Sequence, residues 1–244
     1  MKIREALLLM LCSALGATIP SSAQTTRDHT LPDARIKVTV EDLPDGRTLF
    51  TVQNRSPQPI TALALEAKRT LLPPKKGSGR SVRYFDSVAN LGHDSELTPY
   101  QSHTFVIFGK SPSLSEASRD VELRAALLAD GTSYGDPAWV NKLVDGRTFL
   151  SHCLGNVSQE LNAGLAGGEP AQSLVGELRQ EEAAQMKSAG SLDERVIANR
   201  VYESVIHYLS ASFPNNVPEA NRIRELLDQF RTQQAALARA LPAT

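Results

Sequence analysis

Residues 129–140, ADGTSYGDPAWV, separate two kinds of sequence pattern. Before this stretch, hydrophobic residues alternate with a period of two, as in half-buried strands; after it, they recur every three or four positions, as on one face of a helix. Asp136 and Pro137 predict a helix N-terminus, because the carboxylate can accept from the backbone N–H of Ala138 or Trp139. The stretch therefore predicts the junction between a β-rich half and a helical half.

The same stretch also has the composition of a ligand loop, but its spacing argues against one. Asp130 and Asp136 are its only carboxylates, and they lack the EF-hand spacing that binds calcium. A phosphate-binding loop would need a lysine and a different glycine spacing. The five histidines of the chain show no zinc-binding spacing either. The sequence thus predicts neither a metal nor another cofactor.

Period-two patterns fill residues 34–135. Hydrophobic and β-branched residues fall on one face of two successive strands, namely Ile36, Val38 and Val40, then Thr48, Phe50 and Val52. Further strands are predicted at residues 60–68, 81–88, 103–108 and 120–129, with a short piece at 132–134. Short strands separated by turns rich in proline and glycine predict an antiparallel β-sandwich.

Two phrases in this half resemble bacterial immunoglobulin-like domains. VQNRSPQPITALALEAK, residues 52–68, is similar to a strand–turn–strand in which an Asn-x-Ser corner leads to Pro-Ile-Thr. LTPYQSHTFVIF, residues 97–108, resembles the phrase that opens a later strand. The closing ADGTSYGDPAWV also resembles segments of uncharacterised secreted bacterial proteins. These resemblances imply an immunoglobulin-like sandwich over 34–135, and they imply no activity, since that fold hosts unrelated functions.

Residues 136–241 predict a segment of three to four helices, which makes the fold class α+β. The first apolar stripe comprises Trp139, Leu143, Leu150, Leu154, Val157, Leu161 and Leu165. AGLAGGEP, residues 163–170, is expected to end this helix, and further helices are predicted at 171–189, at 193–212 and from 218 onward. The third helix is predicted to have Leu192 and Val196 on its apolar side. These helices could pack on each other, on the sandwich or on a partner.

One octapeptide inside the first helix has a near-copy in the β-rich half. LVDGRTFL at 143–150 and LPDGRTLF at 43–50 share five of eight positions, but the surrounding periods differ, which indicates coincidence. Gly146 in the second copy predicts a cost of about 1 kcal/mol relative to alanine and a place where the helix could kink or break.

Residues 1–23 have the pattern of a cleaved secretory signal: two basic residues, a short apolar run and a small-residue end. We expect a disordered linker at 24–33 and a mature protein in the periplasm or outside the cell, with no membrane span. Signal removal takes two of 26 basic and one of 27 acidic residues and leaves a formal charge of −2. That charge gives no case for nucleic acid as a partner.

Cys153 is the only cysteine beyond the signal, so no intramolecular disulfide is expected in the mature chain. Its neighbour His152 could act as a base, but adjacent residues on a helix point about 100° apart. A buried, inert thiol is therefore the preferred interpretation. A nucleophile in a site between sandwich and helices, or a bridge to another chain, is the alternative.

The candidate binding residues are Lys75, Lys76, Arg80 and Arg83, which lie in PPKKGSGRSVR, residues 73–83. A mobile basic loop could bind an anionic polymer or the acidic face of a protein, although an ordinary solvated loop between strands is the preferred interpretation of this composition. The late amphipathic helices offer a second candidate surface, although internal packing is the preferred interpretation. The sequence therefore predicts a non-enzymatic binding or scaffolding protein of the cell envelope.

Overall fold

The computed structural model describes residues 25–28, 35–43, 47–71, 78–89, 96–108, 117–211 and 218–241. The strands are β1 (Thr25–Asp28), β2 (Ile36–Asp42), β3 (Thr48–Asn54), β4 (Ile60–Leu71), β5 (Ser78–Asp86), β6 (Ser102–Phe108), β7 (Ala117–Leu128) and β8 (Ser133–Gly135). The helices that follow are α1 (Pro137–Gly167), α2 (Ala171–Ser188), α3 (Leu192–Ser210) and α4 (Glu219–Ala240). The predicted α+β class, with antiparallel strands followed by helices, is confirmed.

The strands form two antiparallel sheets that stack on each other. Sheet A has the order β1-β2-β3-β6, and sheet B has the order β5-β4-β7-β8. Alternate residues of both sheets point into a shared apolar core, which includes Ile36, Val38, Val40, Phe50, Val52, Leu63, Leu65, Phe85 and Val121. The predicted faces of β2 and β3 are confirmed, because period-two alternation decides which side chains are buried.

The structure adds one strand to the predicted set and shifts the bounds of others by one to three residues. Residues 25–28, in the segment expected to be a linker, form β1 and pair with β2. Four polar residues carry no alternation signal, so this pairing is not visible in the sequence. β5 begins at Ser78 instead of 81, because β4 extends to Leu71 and the two strands pair without a register shift as far as Thr70 and Ser78.

The Asn54 side chain ties the β3–β4 turn to the segment that precedes β6. Asn54 Nδ2 donates to the carbonyl oxygens of Gln58 at 2.8 Å and Leu97 at 2.9 Å. Its Oδ1 accepts from the backbone N–H of Ser56 at 2.9 Å. Asn54 and Ser56 are both buried, so these bonds satisfy polar groups that water cannot reach.

The outer face of sheet B is covered by the beginning of α1. Trp139 and Leu143 pack with Ala62 and Ala64 of β4 and with Ala125 and Leu127 of β7 in a second apolar core. Small alanines on the sheet leave room for the large indole, which is only 4% exposed. Trp139, the first residue of the predicted apolar stripe, therefore faces the sandwich.

Helix α1 continues through Gly146, where a kink or a break was considered, and ends within residues 163–170. It runs over 31 residues through Gly146 and ends at Gly167, three residues beyond Gly164, the first glycine of AGLAGGEP. Gly168 then takes a left-handed conformation with φ of 67° and caps the helix. The prediction that the helix ends within 163–170 is confirmed, and the residues that end it are Gly167 and Gly168.

The four helices build a third core around α1, from residues such as Leu154, Val157, Leu161, Leu174, Tyr202, Val205 and Leu227. The assignment of Leu192 and Val196 to the apolar face of α3 is wrong, since they are 74% and 50% exposed. Both residues lie in the first turns of α3. Among the described residues, no helix covers the side of α3 to which they belong.

The N-terminus of α1 gives the first testable prediction. Asp136 accepts from the backbone N–H of Ala138 at 2.9 Å, and Pro137 occupies the first turn, as predicted. Asp136→Ala removes this cap and should lower the free energy of unfolding by about 1 kcal/mol. Urea denaturation measures the change, and Asp136→Asn, which keeps a capping oxygen, should lose clearly less. Equal losses in both variants would contradict a capping role.

Candidate functional site

The four predicted binding residues do not form one loop. Lys75 and Lys76 lie outside the described residues, while Arg80 and Arg83 belong to β5. Successive side chains of a strand point to opposite faces, so Arg80 shares a face with Val82 and Tyr84. Arg83 instead shares the face of Phe85, which enters the sandwich core, although Arg83 itself is exposed. The prediction of a basic loop over 73–83 is thus corrected for residues 78–83, which are strand.

Arg80 is held in place by Glu66 and Trp139 on the outer face of sheet B. It forms an ion pair with Glu66 of β4, whose side chain is only 2% exposed, while its own is 59% exposed. Its guanidinium lies 5.7 Å from the centre of the Trp139 ring. Arg124 and Lys142 approach the same ring, at 5.6 and 4.5 Å. We call these five residues the Trp139 cluster.

Further charges surround the Trp139 cluster. Arg124 Nη1 contacts Glu122 at 2.9 Å, and Arg124 Nη2 contacts the capping residue Asp136 at 3.1 Å. Lys68 Nζ lies 3.9 Å from Glu66. The buried carboxylate is therefore compensated by several cations, as burial of a charge requires.

Two cations of neighbouring strands lie side by side at the end of sheet B where β4 runs into the β4–β5 connection. Lys68 is in register with Arg80 of β5, and their side chains are 47% and 59% exposed. Lys68 is also in register with Asp120 of β7, and both cations contact Glu66, so part of their charge is compensated within the sheet. We call this region, residues 68 and 80, the basic end of sheet B.

Tyr84 links this surface to the helices. Its hydroxyl donates to Asp193 Oδ2 at 3.2 Å, and its ring lies 6.5 Å from that of Trp139. Burial raises the pKa of Tyr84 to about 12, the negative charge of Asp193 adds to the shift, and Arg80 opposes it. Tyr84 therefore stays a neutral hydrogen-bond donor at physiological pH, and it fixes β5 against α3.

Arg147 is a buried residue that the sequence analysis did not single out. Its side chain is fully buried and binds Asp86 at both ends, Nε to Oδ2 at 2.8 Å and Nη2 to Oδ1 at 3.1 Å. It also donates to Thr61 Oγ1 and to the carbonyl oxygen of Ala240, each at 2.9 Å. One guanidinium thus joins sheet B, α1 and the end of α4. The only sequence signal for the burial of Arg147 was its position between Leu143 and Leu150 in the apolar stripe.

Cys153 has the properties of an inert core residue. It is fully buried, whereas His152 is exposed, so the two side chains point apart as predicted. Burial raises the pKa of the Cys153 thiol to about 11, and the charge of Glu181 contributes. A nucleophilic cysteine needs a lowered pKa and access to substrate, and Cys153 has neither.

A groove of about 1140 Å³ lies between α1, α3 and α4. Its floor is apolar and includes Leu150, Leu154 and Phe230, while charged residues such as Arg200 and Asp228 stand on its rim. No histidine or cysteine of the described residues lines it. The groove therefore offers mainly apolar contact, and Ser204, Asn221 and Glu225 are among its polar lining residues.

Within the described ranges, no group of three or more potential metal-ligating side chains converges. No helix in that part of the chain is long and apolar enough to cross a bilayer. Comparison of the chain with family models, with curated proteins and with solved structures finds no match.

Proposed function

We propose that the chain is a secreted, non-enzymatic binding protein of the cell envelope that holds an anionic partner at the basic end of sheet B. The observation that carries this proposal is the pair of exposed cations Lys68 and Arg80, which lie opposite each other on β4 and β5. Directly opposed like charges disfavour strand pairing. A negatively charged partner that contacts both cations would relieve the part of this repulsion that Glu66 leaves, and this would favour binding.

The fixed position of Arg80 supports the same proposal. Its guanidinium contacts Glu66 and the Trp139 ring, yet more than half of its side chain is exposed. A side chain that is already ordered loses less conformational entropy when a partner binds. Arg80 is therefore better prepared to bind an anion than an arginine on a solvated loop.

The proposed immunoglobulin-like character rests on topology and on Asn54. The strands β2-β3-β6 face β5-β4-β7-β8, which resembles an immunoglobulin sandwich with a fourth strand on its second sheet. The two phrases that carry the sequence resemblance also meet, because Asn54 of the first donates to Leu97 of the second. Such folds commonly serve as binding modules, and the buried Cys153 favours binding over catalysis in this chain.

Charge neutralisation tests the proposal. Replacing Lys75, Lys76 and Arg80 with glutamine should weaken binding of poly-glutamate roughly tenfold, since each surface charge contributes about 0.2–1 kcal/mol. Titration calorimetry at low and high salt measures the affinity, and salt should weaken wild-type binding. Because Arg80 also compensates Glu66, the Lys75→Gln, Lys76→Gln double variant separates lost binding from lost stability.

A matched control removes three exposed arginines from the helices, Arg195, Arg231 and Arg239, again as glutamine. The control should bind poly-glutamate as the wild type does, apart from the small effect of net charge. Equal weakening in both variants would show that binding follows total charge, and unchanged binding in the first variant would overturn the proposed site.

A further inference from the structure

We propose that the anionic partner is an extended acidic peptide that adds a strand to sheet B by pairing with β5. The inference rests on the proposed function and specifies its partner. Sheet order places β5 at the edge of sheet B, and β4 is its only partner among the described strands. An exposed strand edge is a template for an incoming strand.

The direction of the backbone groups along β5 follows from one hydrogen bond. Ser87 N–H donates to the carbonyl oxygen of Thr61 at 2.9 Å, so these two residues form a hydrogen-bonded pair. The β4–β5 register continues from there without a shift, and hydrogen-bonded pairs alternate with others. Arg80, Val82 and Tyr84 therefore direct their N–H and C=O groups away from β4, toward a strand that could bind.

The side chains of β5 select the composition of that strand. Val82 and Tyr84 are 38% and 37% exposed and lie on the same face as Arg80. Arg83 is exposed on the other face, and the only acidic residue of β5 is Asp86, which Arg147 already binds. A peptide that alternates acidic and apolar residues would match this edge on charge and on apolar contact.

Charge also argues against a second copy of β5 as the occupant. Two copies pairing along this edge would bring four arginines, two each of Arg80 and Arg83, into one pair of strands whose only carboxylates are the two copies of Asp86, which Arg147 already binds. Opposed or neighbouring like charges disfavour such pairing, whereas an acidic strand turns the same arginines into attractive contacts. The edge is thus protected against self-association and open to an acidic partner.

Hydrogen exchange tests the strand pairing directly. The probe is a capped peptide of alternating valine and glutamate with the 9-residue length of β5. Binding should slow exchange of the outward amides of Arg80, Val82 and Tyr84, while those of Ser81 and Arg83, which already bond to β4, should change little. Absence of added protection at the three outward amides, with the peptide bound, would overturn the inference.

A pair of proline variants tests the same point by affinity. Val82→Pro removes one outward N–H and no charge, so peptide binding should weaken about three- to tenfold. Val106→Pro is the matched control, because Val106 is exposed on β6, the edge strand of sheet A. Its N–H also points away from the neighbouring strand, given that Asn54 bonds to Gln101 in the same ladder. The control should bind the peptide normally.

The outcomes separate the two proposals. If the wild type binds neither the peptide nor poly-glutamate, the proposed function fails. If it binds both, but Val82→Pro binds equally well, only strand pairing fails. Equal competition by polyphosphate of the same charge would point to an anionic polymer and would overturn the peptide as partner, as would a dimer formed through β5 in the absence of peptide.

Discussion

Replacing Arg147 with methionine is expected to destabilise the protein by about 3–5 kcal/mol, because Asp86 would remain buried without its partner. Asp86 keeps two hydrogen bonds, from the backbone N–H groups of Val88 and Ala89 at 3.0 Å each. They satisfy one of its oxygens but do not neutralise its charge. The loss of the bond to Ala240 would also release the end of α4.

Urea denaturation measures the effect of Arg147→Met, with Arg195→Met as the control for an exposed arginine on a helix. The control should change the free energy of unfolding by no more than about 0.5 kcal/mol. The double variant Arg147→Met, Asp86→Asn removes both charges and should be more stable than the sum of the single losses by roughly 0.5–3 kcal/mol. Simple additivity would mean that the two side chains do not interact.

Replacing Trp139 with alanine is expected to cost about 3–5 kcal/mol, the range for a large aromatic side chain in a core. The indole fills the space above Ala62, Ala64 and Ala125, and these small residues cannot close the cavity that it would leave. Arg80 would also lose an aromatic surface against which its guanidinium is placed.

Thermal and urea unfolding of Trp139→Ala and Trp139→Phe check this expectation. Phenylalanine keeps part of the packing and the aromatic face, so its loss should be clearly smaller. A loss below about 1 kcal/mol for alanine, the size of an ordinary substitution, would show that the indole does not join sandwich and helices. Trp139 would then have to be considered as a surface residue available to a partner.

The junction could be predicted because its determinants are local. A cap residue, a proline and the first apolar residues of α1 lie within four positions, and the structure has Asp136, Pro137 and Trp139 in the expected roles. The buried faces of β2 and β3 could be predicted for the same reason, because the alternation of apolar and polar residues lies within each strand.

Arg147 could not be predicted, because its partners are distant in sequence. Asp86, Thr61 and Ala240 are 61, 86 and 93 positions away, and only the tertiary fold brings them together. The sequence shows an arginine in an apolar stripe but not the carboxylate that compensates it. Arg80 is a similar case, since composition indicated a loop, whereas pairing with β4 decided that it belongs to a strand.

The proposed binding surface depends on Trp139 and Arg147. Trp139 and Arg147 fix α1 against sheet B, and the Trp139 cluster in turn orders Arg80 on β5, which is an edge strand among the described strands. A variant that loosens this junction should therefore also weaken binding of an acidic peptide, even if the edge of β5 is unchanged.

The most direct test is an NMR titration of the wild-type protein with the alternating valine–glutamate peptide, in which backbone amide shifts are followed residue by residue. We predict that the largest shifts occur in β5, at Arg80, Val82 and Tyr84, and at Lys68 of β4, and that high salt reduces them. Shifts concentrated around Leu150 and Phe230 in the groove between the helices, or no shifts at all, would contradict an acidic partner at the edge of β5.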